Sequence, residues 1–86
     1  MNISVELTLT PLHDTYEPAI IHFIKQLRVS NLKVLENPLS TQVYGDYDEV
    51  MRVLTTEVKA AFELIERGLL HMKIVKSDRY DYEPHF

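Results

Sequence analysis

The side chains best suited to bind a small polar molecule lie on one short predicted strand, Ser40–Tyr44. Hydroxyl and amide groups occupy Ser40, Thr41 and Gln42, and an aromatic ring follows at Tyr44. A strand with a purely structural role favours Val, Ile and other apolar residues. Hydroxyl and amide groups can instead hydrogen-bond a ligand, and a tyrosine ring can stack on one or accept a cation. This strand is therefore a candidate ligand-binding element.

The N-terminal segment Asn2–Thr10 alternates between apolar and polar residues, which is the period of a half-buried strand. Pro11 is expected to end it, because proline cannot donate to a strand ladder. Glu6 supplies the carboxylate that we favour for the ligand site, and Thr8 adds a hydroxyl. The apolar face carries Ile3, Val5, Leu7 and Leu9, and the polar face carries Ser4, Glu6, Thr8 and Thr10.

The first predicted helix follows a short loop. Asp14 or Thr15 is expected to cap it, and Pro18 suits its first turn, where a missing N–H costs little. Ser30–Asn31 is expected to close it, with Asn31 in the left-handed conformation. Its apolar stripe has helical spacing and comprises Ile20, Phe23, Ile24 and Leu27.

The second predicted helix follows a tight turn at Gly45–Asp46. Asp46 or Asp48 is expected to cap its N-terminus, and Gly68 is expected to stop it. Its apolar side comprises Val50, Leu54, Val58, Ala61 and Ile65.

Two further strands, Leu32–Glu36 and Leu70–Lys76, complete a β-α-β-β-α-β order. Right-handed crossovers then predict an α+β, ferredoxin-like domain with an antiparallel four-stranded sheet in the order 4-1-3-2 and both helices on one face. The alternative is another α+β arrangement. We assign residues 1–78 to this domain and residues 79–86 to a C-terminal tail.

The sheet face without helices should carry Glu6, Thr8, Ser40, Gln42 and Tyr44, whereas Thr41 points toward the helices. Three interpretations remain open for this face. It can be a solvated surface, as antiparallel sheets often have. It can be a subunit interface, which would help a domain this small to bury enough surface. It can also be the floor of a ligand site, and such sites often form between subunits.

Composition narrows the function. The chain has 86 residues, a net charge of −4 and no Cys. An acidic chain without a basic run argues against a nucleic-acid partner and weakly favours a cationic one. Its apolar runs are too short to span a membrane, and its N-terminus lacks the features of a signal peptide. A cytoplasmic protein without membrane insertion is therefore predicted.

Signals for catalysis are weak. No G-x-S-x-G motif marks a nucleophile, and neither phosphate-binding glycine motif is present. The pair His13–Asp14 is more simply loop polarity than a base or a metal ligand. We therefore expect no enzymatic activity, no metal and no cofactor.

Four features together resemble the thiamine-binding YkoF-like family. They are Pro11–Leu12 after the first strand, Ser40–Thr41, the Gly45–Asp46 turn, and the acidic helix start Asp48–Met51. The resemblance covers roughly residues 3 to 78. It implies a ferredoxin-like single domain that associates through its sheet as a homodimer or homotetramer.

The same resemblance implies a ligand, namely thiamine or its hydroxymethylpyrimidine moiety, bound without turnover by a carrier or sensor in thiamine uptake or salvage. A structural or regulatory assembly module without a small ligand is the alternative. The ligand-binding residues that we predict are Glu6, Thr8, Ser40, Thr41, Gln42 and Tyr44.

The C-terminal segment Asp78–Phe86 mixes acidic residues with Tyr80, Tyr82 and Phe86. We favour a frayed terminus, because chain ends are often poorly ordered. The alternative is an arm that lies across a partner subunit.

Overall fold

The structure is a computed structural model that describes residues 1–85; Phe86 lies outside the described residues. Its elements follow the predicted β-α-β-β-α-β order. They are β1 (Asn2–Pro11), α1 (Glu17–Arg28), β2 (Lys33–Glu36), β3 (Thr41–Asp46), α2 (Tyr47–Glu63) and β4 (Gly68–Val75).

The four strands form one antiparallel sheet in the order β2-β3-β1-β4. This is the predicted order read from the other edge, so the ferredoxin-like α+β fold is confirmed. The longest strand, β1, pairs with β3 along its first half and with β4 along most of its length. Strands β2 and β4 are the edges.

The core lies between the sheet and the two helices. The predicted apolar face of β1 is buried there, and Leu27, Val43 and Val50 are fully inaccessible to solvent. Burying a side chain of this size typically contributes about 1.5–3 kcal/mol. The alternation in β1 therefore correctly predicted which face of the sheet is covered. The helical spacing in α1 correctly predicted that Phe23 and Leu27 face the core. No helix within residues 1–85 is long and apolar enough to cross a membrane.

Both predicted ends of α1 are wrong in detail. The helix begins at Glu17, and its N-cap Tyr16 makes no side-chain cap hydrogen bond. Pro18 occupies the first turn as expected, and its missing N–H leaves one donor fewer for a cap to satisfy. At the other end Asn31 is not left-handed, because no residue of 1–85 has a positive φ. The Ser30 hydroxyl instead donates to the Leu27 carbonyl at 2.6 Å, which satisfies a helix-end acceptor directly.

The junction between β3 and α2 is tighter than predicted. β3 continues through Gly45 to Asp46, so Gly45 is part of the strand rather than a turn. A Cβ atom at Gly45 would lie 3.1 Å from Leu32 and 3.3 Å from Val50, so the glycine permits close packing. Asp46 is the N-cap, as one of the two predictions had it, and its carboxylate accepts from the Asp48 amide at 3.2 Å.

The predicted role of Gly68 is wrong, whereas β1 does end at Pro11 as predicted. α2 ends at Glu63, and Gly68 is the first residue of β4, directly opposite Pro11. β1 pairs with β3 only from Asn2 to Leu7, so Pro11 has a strand neighbour on one side alone. A proline is tolerated where one side of the strand needs no donor.

Candidate functional site

The open face of the sheet brings the predicted strand residues together in rows across the sheet. In the register of the strands, Glu6 lies opposite Gln42 on β3 and opposite Lys73 on β4. One row further along, Ser4 lies opposite Tyr44. Directly opposed residues of an antiparallel pair point to the same face, so these side chains share the open surface.

Three of the predicted residues form a hydrogen-bonded chain, which we call the polar cluster (Glu6, Ser40 and Gln42). The Gln42 amide donates to the Ser40 hydroxyl at 2.8 Å. The Ser40 hydroxyl donates to Oε2 of Glu6 at 3.0 Å. The second carboxylate oxygen, Oε1, lies 3.7 Å from the Lys73 ammonium. The cluster is thus pre-oriented by its own bonds.

The carboxylate of this cluster is accessible. The Glu6 side chain is 46% exposed and that of Lys73 is 72% exposed, so their ion pair is a weak surface contact. A ligand amine or cation can therefore replace Lys73 at the carboxylate with little loss of protein stability. The sequence analysis did not predict that Lys73 lies at this site. The alternation along β4 could have indicated it, because it places His71 and Lys73 on the same face of the strand.

Two other predicted residues lie at the margin of this site. Thr8 is half-buried, and its hydroxyl donates to the Leu39 carbonyl at 3.5 Å. Thr41 is buried, and its position in β3 places it on the helix side of the sheet. A groove of about 210 Å³ between α1 and the β2–β3 connection touches Thr8, Ser40 and Thr41, but most of its lining is apolar, including Ile20 and Phe23 of α1. Ser40 therefore belongs to both the polar cluster and this groove.

Tyr44 has a different environment from the polar cluster. It lies on the open face but is only 8% exposed, because the segment after β4 covers it. The ring of Tyr80 meets the ring of Tyr44 edge to face, with centroids 5.4 Å apart and an interplanar angle of 77°. Burial raises the pKa of the Tyr44 phenol, and the nearby carboxylates of Asp78 and Glu6 raise it further. Tyr44 is thus a neutral, covered residue, and its ring is not free to stack on a ligand.

The C-terminal segment is attached to the sheet through Ser4, which is only 7% exposed. The Ser4 hydroxyl donates to the Ser77 carbonyl at 2.7 Å and accepts from the Arg79 amide at 2.8 Å. The expectation of a frayed terminus is therefore wrong for residues 77–80. The sequence analysis did not predict that Ser4 holds this segment, and it considered Tyr80 only as part of an arm on a partner subunit, because alternation alone does not show that a distant segment returns to cover the strand.

Within residues 1–85, no group of three or more His, Cys, Asp or Glu side chains is placed to hold a metal ion. His71 lies opposite Thr8 on the open face, and His13 lines a separate groove beside the N-terminus of α1. The arrangement that the open face does offer is a carboxylate with hydroxyl and amide partners. Such groups bind and orient a polar or cationic molecule.

Solved structures share this fold. A protein from Streptococcus pneumoniae is 24% identical, with a TM-score of 0.83 over 91% of this chain and 89% of that chain. A candidate thiamine biosynthesis/salvage protein from Thermotoga maritima is 18% identical, with a TM-score of 0.81 over 90% of this chain and 85% of that chain. A hypothetical protein from Methanocaldococcus jannascii is 23% identical, with a TM-score of 0.74 over 95% of this chain and 84% of that chain.

At these identities the likeness concerns the fold. The sequence has no significant match among curated proteins. A family model described as "Thiamine-binding protein" matches residues 5–85, which is nearly the whole chain. The chain therefore belongs to the thiamine-binding protein family, as the resemblance of its strand and turn motifs predicted.

Proposed function

We propose that this protein binds thiamine or its hydroxymethylpyrimidine moiety on the open face of its sheet, as a cytoplasmic carrier or sensor in thiamine uptake or salvage and without turnover. The observation that carries the proposal is the polar cluster, a pre-oriented carboxylate–hydroxyl–amide chain on an uncovered surface. Membership of the family supports a thiamine-related ligand.

The chemistry of the cluster suits both parts of the ligand. An aminopyrimidine offers an amine that donates and ring nitrogens that accept. Glu6 can accept from the amine, while Ser40 and Gln42 can turn their donors to the ring nitrogens. Hydrogen bonds to a charged group are about twice as strong as neutral ones, so Glu6 should dominate the affinity.

A second copy of the chain is part of this proposal. The groove that reaches the cluster at Ser40 lies mostly on the helix side of the sheet and holds about 210 Å³, below the roughly 300–1,000 Å³ of typical ligand pockets. One subunit thus contacts a ligand on one side and encloses little of it. A homodimer or homotetramer formed through the sheet would enclose the ligand and bury more of a small domain.

An assembly module without a small ligand is the second candidate, and one observation favours it. Edge strand β4 exposes Met72 and Ile74, each 43% accessible, beside Leu69 on its other face. Edge strands with exposed apolar residues tend to pair with another chain. Assembly through β4 would account for these residues without any ligand.

Calorimetric titration of thiamine and of hydroxymethylpyrimidine distinguishes the two candidates. The proposal expects saturable binding by the wild type and at least about tenfold weaker binding by Glu6→Gln, since a charge-assisted bond is worth about 1.5–3 kcal/mol. Glu63→Gln is the matched control, because Glu63 is an exposed carboxylate at the end of α2. Its affinity should equal that of the wild type.

Absence of heat and of any thermal shift at millimolar concentrations of either compound would rule out the binding function. Equal affinities for Glu6→Gln and the wild type would instead reject the polar cluster as the site. Light scattering after gel filtration tests the assembly independently. A monomer at high concentration contradicts both the sheet-mediated oligomer and the assembly module.

A further inference from the structure

The segment Ser77–Tyr80 holds an aromatic ring against Tyr44 and Lys33, in the row of the sheet next to the row of Glu6 and Gln42. The Ser4 hydroxyl on β1 anchors this segment through two hydrogen bonds of 2.7 and 2.8 Å. Within the segment, the Tyr80 amide donates to the Asp78 carboxylate at 2.9 Å, which forms a local turn. Tyr44 supports the ring of Tyr80 edge to face. These contacts give Tyr80 the fixed geometry that a ligand-binding ring needs.

The ring of Tyr80 already accepts a cation. The Lys33 ammonium lies 4.6 Å from the ring centroid, over the face of the ring. Within residues 1–85, Lys33 makes no ion pair with a carboxylate, so this ring is its one charge-dependent contact in the described part of the chain. Asp78 and Glu6 add negative charge around the neighbouring Tyr44. The surroundings of Tyr80 thus favour positive charge.

Lys33 is well suited to be displaced. It is exposed on edge strand β2, so its ammonium can return to water at little cost. An ammonium is a compact and strongly hydrated charge. A delocalised cation without N–H groups loses less hydration when it lies against an aromatic face, which is why quaternary ammonium ligands are held in aromatic cages.

The position of Tyr80 also matches the polar cluster. Lys33 and Tyr44 form one row across the sheet, and Leu35 and Gln42 form the next row on the same face. The two rows are two residues apart along β3, or roughly 6.6 Å. A molecule of two linked rings can therefore reach both rows at once.

We infer that the face of the Tyr80 ring is a subsite for the positively charged ring of the ligand, and that Lys33 occupies it in the unliganded protein. The aminopyrimidine would lie at the polar cluster, and the thiazolium would replace Lys33 on Tyr80. Tyr80, and not Tyr44, is then the ligand-stacking residue. This inference rests on the proposed function, and it makes Tyr80 a determinant of selectivity for charged over neutral ligands.

The test compares thiamine, which carries a permanent positive charge, with neutral hydroxymethylpyrimidine at pH 8. Calorimetric affinities are measured for the wild type, Tyr80→Leu, Tyr80→Phe and Lys33→Gln. Tyr80→Leu should lower the affinity for thiamine about 2- to 30-fold, which is the range of a cation–π contact. Its affinity for hydroxymethylpyrimidine should be unchanged. Tyr80→Phe should retain thiamine affinity. Lys33→Gln should increase the affinity for thiamine but not for hydroxymethylpyrimidine, because the competing ammonium has been removed.

Tyr82→Leu is the matched control, since Tyr82 lies two residues further on and is well exposed. Its affinities should match the wild type. Equal losses of both ligands in Tyr80→Leu would overturn the subsite, because they indicate that the segment has merely come away from the sheet. Unchanged thiamine affinity in Tyr80→Leu would overturn it as well, while leaving the proposed function intact.

If neither ligand binds the wild type, the proposed function is wrong. The cation subsite is then tested separately, with tetramethylammonium chloride as the probe. NMR titration of Lys33→Gln should then shift the ring signals of Tyr80 and leave those of Tyr82 in place. Identical responses of the two rings would overturn the cation subsite.

Discussion

Both ends of the open face carry polar side chains, but the two ends differ in structure. At one end Glu6, Ser40 and Gln42 remain accessible and bond to one another. At the other end Ser4 and Tyr44 are 7% and 8% exposed, because residues 77–80 cover them. Polar residues in an alternating strand therefore mark a face of the sheet, and the segment that returns across that face decides which of them a ligand can reach.

The largest effect that would sharpen this contrast is expected from Tyr44→Ala. Removing a buried ring that supports Tyr80 should lower the free energy of unfolding by about 3 kcal/mol, as for large-to-small core substitutions. Tyr47→Ala is the matched control at an exposed position and should cost less than about 0.5 kcal/mol. Urea denaturation measures both. Equal costs for the two variants would mean that Tyr44 is no more buried than Tyr47.

A smaller effect is expected from Ser4→Ala. The variant loses both hydrogen bonds to the C-terminal segment, each worth about 0.5–1.5 kcal/mol, so it should be destabilised by about 1–2 kcal/mol. Hydrogen exchange at the Arg79 amide should also become faster, because that amide loses its acceptor. The control is Thr8→Ala, whose one bond of 3.5 Å is weak. Unchanged exchange at Arg79 would show that Ser4 does not hold the segment.

The covered end should also respond to alkaline pH. Burial raises the pKa of Tyr44 above its ordinary value of 10.0, so the folded protein keeps the proton that the unfolded chain releases. This contribution to stability is complete below pH 10 and decreases as the pH rises through the raised pKa. Denaturation at increasing pH should show the loss in the wild type and a smaller loss in Tyr44→Phe. Identical pH dependence in both proteins would contradict a buried phenol.

The smallest effect on stability is expected at the accessible end. Glu6→Gln removes a surface ion pair with Lys73 but keeps an acceptor for Ser40, so the free energy of unfolding should change by less than about 0.5 kcal/mol. Thermal and urea unfolding test this directly. A loss similar to that of Ser4→Ala would erase the distinction between the two ends, because it would make the polar cluster a structural feature.

Local patterns predicted much of this molecule. The alternation in β1 correctly assigned Ile3 and Val5 to the core and Glu6 to the open face, since the period of a strand is two. The element order then left few topologies to consider, and the observed sheet is the predicted one. Of the predicted site, Glu6, Ser40 and Gln42 are in contact, whereas Thr41 faces the helices.

The errors arose where a residue has two plausible local roles. Gly68 resembles a helix stop, but it opens β4 against Pro11, where a side chain would meet the Thr10 carbonyl at 3.0 Å. Asn31 resembles a left-handed helix end, but the Ser30 hydroxyl satisfies the Leu27 carbonyl instead. In both cases a contact with a neighbouring element or group outweighed the local preference.

The sequence by itself determined the order of the elements, the two faces of the sheet and the family, because each of these depends on residue types at short, fixed spacings. Only the tertiary structure decided that Tyr44 is covered, that Ser4 anchors residues 77–80, and that Lys33 lies over the ring of Tyr80. Those contacts join residues up to 75 positions apart. No local spacing encodes them, since they form only after the sheet has brought both ends of the chain to one surface.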